Sequence, residues 1–124
     1  MARDQSRSKR KVSGGRYIAF RKKKARDLAR EPALTKIGNK RARTLRIKGG
    51  NQKKILLSVE EVNVFDGKTI KKIKVKAVLE NPANRHFVRR NILTKGAVLD
   101  TELGKVKITN RPGQENFVNA RLVK

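Results

Sequence analysis

Hydrophobic and polar residues alternate along much of the chain after Lys40. The clearest case begins at Lys72, where lysines alternate with apolar residues. The apolar positions there are Ile73, Val75, Ala77 and Leu79. Because successive side chains of a β-strand point to opposite faces, this pattern predicts a strand with one buried and one solvent-facing side. A change of phase between Ile70 and Ile73 predicts a β-bulge near Lys71.

Turn-forming sequences separate the apolar stretches. They are Gly-Gly-Asn at 49–51, Asp-Gly at 66–67, Asn-Pro-Ala-Asn at 81–84 and Arg-Pro-Gly at 111–113. Several short strands joined by such turns are typical of small antiparallel barrels or sandwiches. We predict a mainly β chain in which residues 40–124 form a small antiparallel β-barrel. For residues 53–65 the spacing also allows an amphipathic helix.

Residues 1–39 lack this alternation and are predicted to form an extended basic N-terminal arm. Residues 1–16 are rich in Ser, Gly and cations, and Val12 is their only sizeable apolar residue after Met1. So little apolar surface cannot offset an ordering entropy of roughly 1–2 kcal/mol per residue. We therefore expect residues 1–16 to be disordered in isolation.

A short helix is predicted near residues 21–30 of the arm. This stretch contains good helix formers, but Leu28 is its only large apolar residue. Such a helix is polar almost all round and needs a partner for stability. Pro32 follows, so the helix should end at about Arg30.

The charge of the chain indicates what kind of partner it binds. The 124 residues include 34 Lys and Arg against 10 acidic residues, a formal net charge of +24. Eighteen of these cations, but only three acidic residues, lie in the first fifty positions. This charge opposes the compact state through self-repulsion, and a bound polyanion relieves it. The charge therefore predicts a nucleic-acid partner.

The candidate contacts with nucleic acid are cations in three groups. In the arm they are Arg10, Lys11, Arg16, Arg21, Lys22, Lys23, Lys24, Arg26 and Arg30. A stripe continues into the first strand with Lys36, Lys40, Arg41, Arg43, Arg46 and Lys48. A second cluster, in a loop, consists of Arg85, His86, Arg89 and Arg90. Arginine suits bidentate phosphate contacts and stacking.

Two aromatic residues beside these groups, and His86 within them, each have two possible roles. Tyr17 and Phe20 lie among the arm cations, where each ring either stacks on an unpaired base or packs the arm against the body. His86 either contacts RNA or is an exposed loop histidine.

Catalytic and metal chemistry have little support. The chain has no cysteine and one histidine, which excludes disulfides, thiolate zinc sites and histidine clusters. Glu60 and Glu61 would point to opposite faces of a strand, so they cannot form an acid–base pair. No apolar run approaches the roughly 18 residues of a membrane span. We expect no enzyme, no metal or cofactor, no membrane partner and no small-molecule substrate.

The motifs by which proteins recognise DNA or RNA sequence are missing as well. The chain has no helix-turn-helix spacing, zinc finger, heptad repeat or RNA-recognition octapeptide. Recognition of shape and of the phosphate backbone is the mode that remains. A chromatin-type DNA-binding protein is an alternative at this point.

Ordered sequence blocks run through nearly the whole chain and resemble one protein family. In the first half they are Ser13–Arg16, the basic run, Arg30–Pro32, Thr35–Gly38 and Arg46–Asn51. In the second half they are Glu80–Asn84, Val88–Ile92, Thr94–Ala97, Thr101–Gly104 and Arg111–Gln114. In this combination the chain resembles the S8e family of small-subunit ribosomal proteins, and its short length is similar to archaeal members. Asp27-Leu28-Ala29 departs from the Glu-Leu-Gly often found in the family.

The resemblance implies a β-barrel-like body with an extended basic N-terminal part, bound to 16S-type ribosomal RNA and beside other ribosomal proteins. It also implies a structural, non-enzymatic role and a cytoplasmic location in the small ribosomal subunit. An assembly factor of the same family is the alternative, because a related eukaryotic biogenesis protein shares this body.

Overall fold

The structure, a computed structural model, describes residues 7–123. Residues 1–6 of the predicted arm and Lys124 of the predicted body lie outside the described residues. The described residues divide into two compact units, a first that ends at Pro32 and a second that begins at Ala33. This division falls seven residues before the predicted boundary, because Thr35–Ile37 forms a strand of the second unit.

The first unit contains a hairpin-like turn at residues 9–17. Arg10 and Arg16 form an isolated antiparallel bridge. The Tyr17 N–H donates a hydrogen bond to the Lys9 carbonyl at 3.0 Å, and the Lys11 N–H donates to the Gly15 carbonyl at 2.7 Å. Local backbone hydrogen bonds thus define a turn at residues 9–17, and the expected disorder of residues 1–16 in isolation stays a prediction.

The predicted helix near residues 21–30 is reduced to a 3₁₀ turn at Ala25–Asp27. Leu28 alone offers no apolar stripe on which a longer helix could pack, and most helical stability comes from such packing. The Asp27 carboxylate also accepts a hydrogen bond from the Lys24 N–H at 3.2 Å. Local bonds of this kind favour turns over continuous helix.

The second unit is built from nine strands, one short α-helix and one 3₁₀ turn. The first three strands are β1 (Thr35–Ile37), β2 (Arg41–Arg46) and β3 (Gln52–Val59), with the 3₁₀ turn Lys48–Gly50 between β2 and β3. They are followed by β4 (Glu61–Phe65), β5 (Ile70–Glu80), α1 (His86–Arg89) and β6 (Ile92–Leu93). The chain ends with β7 (Val98–Thr101), β8 (Gly104–Ile108) and β9 (Asn119–Leu122).

The strands form a closed barrel and a separate four-stranded sheet. The barrel order is β4-β5-β7-β8-β9, and the sheet order is β2-β3-β1-β6. Pairing is antiparallel except between β1 and β3 and between β4 and β9. The β4–β9 pair closes the barrel, with Asn63 opposite Asn119 and Phe65 opposite Arg121.

One aliphatic core connects the barrel and the sheet. Leu56, Leu99 and Val106 are fully buried in it, and Ile37 of β1 and Val88 of α1 pack against it from its margin. Glu60, the only residue between β3 and β4, is where the chain passes from the sheet into the barrel. Because the chain bends here, β3 pairs with β2 and β1 in the separate sheet, whereas β4 is a strand of the barrel.

The predicted bulge near Lys71 is wrong, since β5 pairs with β4 in continuous register from Ile70 to Lys74. The register shifts instead lie further along β5, against β7, between Val75 and Ala77 and again between Val78 and Glu80. Each shift inserts an extra residue and changes which face is buried. Val78 is therefore 5% exposed, whereas Leu79, predicted to face the core, is 40% exposed.

The prediction of a mainly β fold with a small barrel and an N-terminal basic segment is confirmed. The alternative helix over residues 53–65 is wrong, because these residues form β3 and β4. The sequence pattern did not indicate the two parallel pairings. Parallel pairs join strands that are distant in sequence, so no turn marks them.

Candidate nucleic-acid interface

All nineteen predicted contact residues are exposed to solvent. The first unit carries the nine from Arg10 to Arg30, and the second unit carries the other ten. Exposure is required for contact with a partner but does not identify one. The local geometry of each group decides what it can do.

In the turn at residues 9–17, arm cations surround the ring of Tyr17. The Arg7 guanidinium lies 3.9 Å from the ring centroid, and the Lys11 Nζ lies 5.6 Å from it. Arg10 donates from Nη1 to the Gly14 carbonyl at 3.0 Å. The Tyr17 ring therefore holds Arg7 and Lys11 together, and the Phe20 ring, 88% exposed, has the Arg21 guanidinium 5.4 Å from its centroid.

The 3₁₀ turn that follows is held by Asp27. Its carboxylate accepts a hydrogen bond from Arg21 Nη1 at 2.5 Å and one from the Lys24 N–H at 3.2 Å. These two bonds, with the Arg21 and Arg26 charges, hold the pKa of Asp27 below its ordinary value of 3.8. The turn keeps three successive lysines, Lys22 to Lys24, exposed on one short stretch.

In the second unit, β2 and β3 form a basic two-stranded ribbon, here called the β2–β3 ribbon (residues 41–59). It lies within the longest acid-free part of the sequence, between Glu31 and Glu60. β1 pairs with β3 only at Ser58 and Val59, so no third strand among the described residues pairs with the outer part of the ribbon. At the tip, two successive glycines with φ of +71° and +76° supply the left-handed conformations that the tight turn requires.

The ribbon presents cations on both of its faces. Arg43 lies opposite Ile55 and Arg46 lies opposite Gln52, and side chains three residues apart on a strand point to opposite sides. The stripe predicted as continuous from Lys36 to Lys48 is thus divided. Lys36 of β1 and Arg41 of β2 both lie opposite Ser58, so these two share one face of the sheet.

Asn81, which is 7% exposed, anchors the loop after β5 that leads to the second cluster of cations. Its Nδ2 donates to the Ile92 carbonyl at 3.0 Å. Its Oδ1 accepts from the Ala83 N–H at 3.1 Å and from the Thr94 hydroxyl at 2.8 Å. One buried amide thereby fixes the start of the loop to β6 and to the turn after it.

Helix α1 carries His86 and Arg89 and is flanked by Arg85 and Arg90, and these four residues are here called the α1 cluster. The Asn84 side chain accepts a hydrogen bond from the His86 N–H at 2.9 Å at the start of the helix. Asn91 ends it in the left-handed region, with φ of +49°, and its carbonyl accepts from the Ile37 N–H at 3.3 Å. Since α1 has four residues and packs through Val88, all four members of the cluster stay exposed.

Within residues 7–123 no group of three His, Asp or Glu side chains is placed to hold a metal ion. Over the same range, no helix is long and apolar enough to cross a membrane.

Comparisons with known proteins identify the family. The sequence model of ribosomal protein S8e matches residues 4–123. The chain is 50% identical over 121 residues to the small ribosomal subunit protein eS8 of Methanocorpusculum labreanum, an alignment that covers 96% of this chain and 97% of the relative. It is 44% identical over 122 residues to eS8 of Methanococcus aeolicus, covering 96% and 95%. The chain belongs to the ribosomal protein S8e family.

Membership of the S8e family confirms the resemblance drawn from the ordered blocks and the expectation of a non-enzymatic protein. It does not test the nineteen contact residues, which stay predictions. Sequence reasoning also left out Lys53 and Lys54 of the ribbon, which lie opposite Leu45 and Thr44. The absence of acidic residues from 32 to 59 was the signal that could have included them.

Replacement of Asn81 by alanine should lower the stability of this S8e protein. The substitution leaves the Ile92 carbonyl without its donor, and an unsatisfied buried polar group costs about 1–3 kcal/mol. Urea denaturation measures the effect. Asn84→Ala, at an exposed helix start, is the control and should cost less stability. Equal stability losses in the two variants would contradict the role assigned to Asn81.

Acidification should loosen the Arg21–Asp27 turn. Because the pKa of Asp27 is depressed in the folded state, its contribution to stability is present above pH 3.8 and is lost as the pH falls through the folded-state pKa. An NMR titration that follows the Asp27 carboxyl and the Lys24 amide should show both changing together below pH 3.8. In Asp27→Asn the Lys24 amide should not titrate over that range. An Asp27 pKa at or above 3.8 would contradict the assignment.

Proposed function

We propose that this chain is a structural constituent of the small ribosomal subunit in the cytoplasm and that it binds 16S-type ribosomal RNA. The RNA contacts are made by the N-terminal arm, the β2–β3 ribbon and the α1 cluster. Membership of the S8e family supports the ribosomal role. The RNA contacts are argued from the distribution of charge.

The observation that supports the RNA-binding proposal is the excess of cations in the sequence, with 34 Lys and Arg against 10 Asp and Glu. Three ion pairs are formed among residues 7–123, and two of them share Asp27. The third joins Lys74 to Glu60 on the body at 3.2 Å. The ten acidic residues cannot balance 34 cations, and a formal net charge of +24 remains. Phosphates supply the missing negative charge, and binding releases their condensed counterions.

The shape of the β2–β3 ribbon supports RNA as the polyanion. With Arg43 on one face and Arg46 on the other, the ribbon can contact phosphates of two backbone segments at once. Such contacts depend on how RNA helices are arranged, and large structured RNAs offer many close pairs of backbones. The α1 cluster contributes three arginines, whose planar groups pair with phosphates bidentately.

Removal of the three arm lysines should weaken RNA binding and leave the body stable. In Lys22→Ala/Lys23→Ala/Lys24→Ala, each lost phosphate contact should reduce the dependence of log affinity on log salt by about 0.7–0.9. Thermal unfolding of the β-rich unit should be nearly unchanged, because the substitutions lie in the other compact unit. Filter binding to 16S ribosomal RNA at several salt concentrations measures the effect.

The matched control is Lys68→Ala/Lys71→Ala/Lys74→Ala, which removes the same charge from the β4–β5 hairpin. It should keep most of the salt dependence, because it leaves the arm, the ribbon and the α1 cluster intact. A drop in Tm as large as the loss of affinity in the arm variant would contradict the proposed role of the arm. Equal affinity of the wild type for duplex DNA would instead favour a general DNA-binding protein.

Sucrose-gradient fractionation of archaeal cells under native salt tests the structural role. The tagged protein should travel with mature small subunits in stoichiometric amount. An assembly factor of the same family would be found in precursor particles and missing from mature ones. Absence of the protein from mature subunits would therefore overturn the proposed structural role while leaving RNA binding untouched.

A further inference from the structure

Two cations lie directly opposite each other on the outer wall of the barrel. Lys107 of β8 pairs in register with Arg121 of β9, and both side chains are exposed. Like charges in such a cross-strand pair are destabilising. Lys105, two residues earlier, lies opposite Asp100 of β7. Neither Lys107 nor Arg121 forms an ion pair with any residue of the described range 7–123.

A third cation is brought to the same place by the turn between β6 and β7. Gly96, with φ of +87°, donates its N–H to the Ile108 carbonyl at 2.9 Å, which sets the turn against β8. Lys95 of this turn, Lys107 and Arg121 line one open cleft of about 450 Å³. These three residues are here called the β8–β9 cation cluster. None of them is among the nineteen predicted contacts.

The same wall carries exposed apolar surface on the other side of Arg121. Phe65 lies beside Arg121 in the β4–β9 register and opposite Ile70 in the β4–β5 register. Phe65 is 39% exposed and Ile70 is 71% exposed. An aromatic ring next to an arginine is a surface on which sugars and unpaired bases pack.

We propose that this wall of the barrel is a further RNA-binding surface, at which the β8–β9 cation cluster contacts the phosphate backbone. The inference rests on the proposed RNA-binding function and adds a fourth surface to the arm, the β2–β3 ribbon and the α1 cluster. An unrelieved like-charge pair costs the free protein stability, and a bound phosphate between the two side chains converts this repulsion into attraction. A protein partner would need an acidic surface here, whereas RNA supplies negative charge along its whole length.

The test compares two full-length double variants with the same loss of charge. Lys107→Gln/Arg121→Gln removes the opposed pair. Lys74→Gln/Lys76→Gln is the control, because Lys74 already pairs with Glu60 and the exposed Lys76 lies six residues after Ile70 on β5. The probe is transcribed 16S ribosomal RNA of Methanocorpusculum labreanum, and the readouts are affinity as a function of salt and the Tm of the free protein.

Two lost phosphate contacts should reduce the salt dependence of log affinity by about 1.4–1.8. The affinity defect should thus be roughly 25- to 60-fold larger at 0.1 M than at 1 M salt. The Tm of the free protein should stay the same or rise, since repulsion is relieved. Lys107→Arg/Arg121→Lys keeps both charges and should keep most of the salt dependence.

Three results would overturn the inference. The first is an unchanged salt dependence in Lys107→Gln/Arg121→Gln, and the second is an equal reduction of the salt dependence in the control variant. The third is normal RNA affinity of Lys107→Gln/Arg121→Gln combined with its failure to enter small subunits, which would assign the wall to a protein neighbour. Failure of the proposed function itself looks different, because the wild type would then show no preference for ribosomal RNA over duplex DNA.

Discussion

The second unit depends on closure of its barrel, which the parallel pairing of β4 with β9 provides. This pair joins the first and last strands of the barrel, and without it both would be open edges. Polar side chains secure it: Asn63 Nδ2 donates to Asn119 Oδ1 at 3.1 Å, and the Asn119 N–H donates to Asn110 Oδ1 at 2.9 Å. Because β4 continues from β3, closing the barrel also fixes the base of the β2–β3 ribbon.

In the free chain, burial of the core stabilises the fold, whereas repulsion within the charged surface destabilises it. The core is small and aliphatic, with Leu56, Leu99 and Val106 fully buried, and no charged side chain is buried among the described residues. The cations of residues 7–123 therefore act from the surface through the solvent, where salt screens them. Hydrophobic burial holds the strands together, while the unbalanced surface charge favours expansion. A partner that neutralises the surface thus adds to stability as well as to function.

The sequence predicted what depends on local periodicity and left open what depends on distant residues. Alternation from Lys72 located β5, but the phase change that buries Val78 and exposes Leu79 arises from register shifts against β7. Thr35–Ile37 was too short to show a period, and it is a strand because β3 and β6 flank it. Composition alone was enough to identify the cations as candidate contacts. Their distribution over both faces of the ribbon, and the pairing of Lys107 with Arg121, follow from strand register.

The position of β2 has a consequence for the protein before it meets any partner. β2 is the outermost strand of its sheet, and such an edge offers unpaired backbone groups to the edge of another molecule. Arg41, Arg43 and Arg46 place three positive charges along its six residues. Two such edges repel each other, so newly made chains are kept from joining into extended sheets. The arginines therefore protect solubility until the surface is covered.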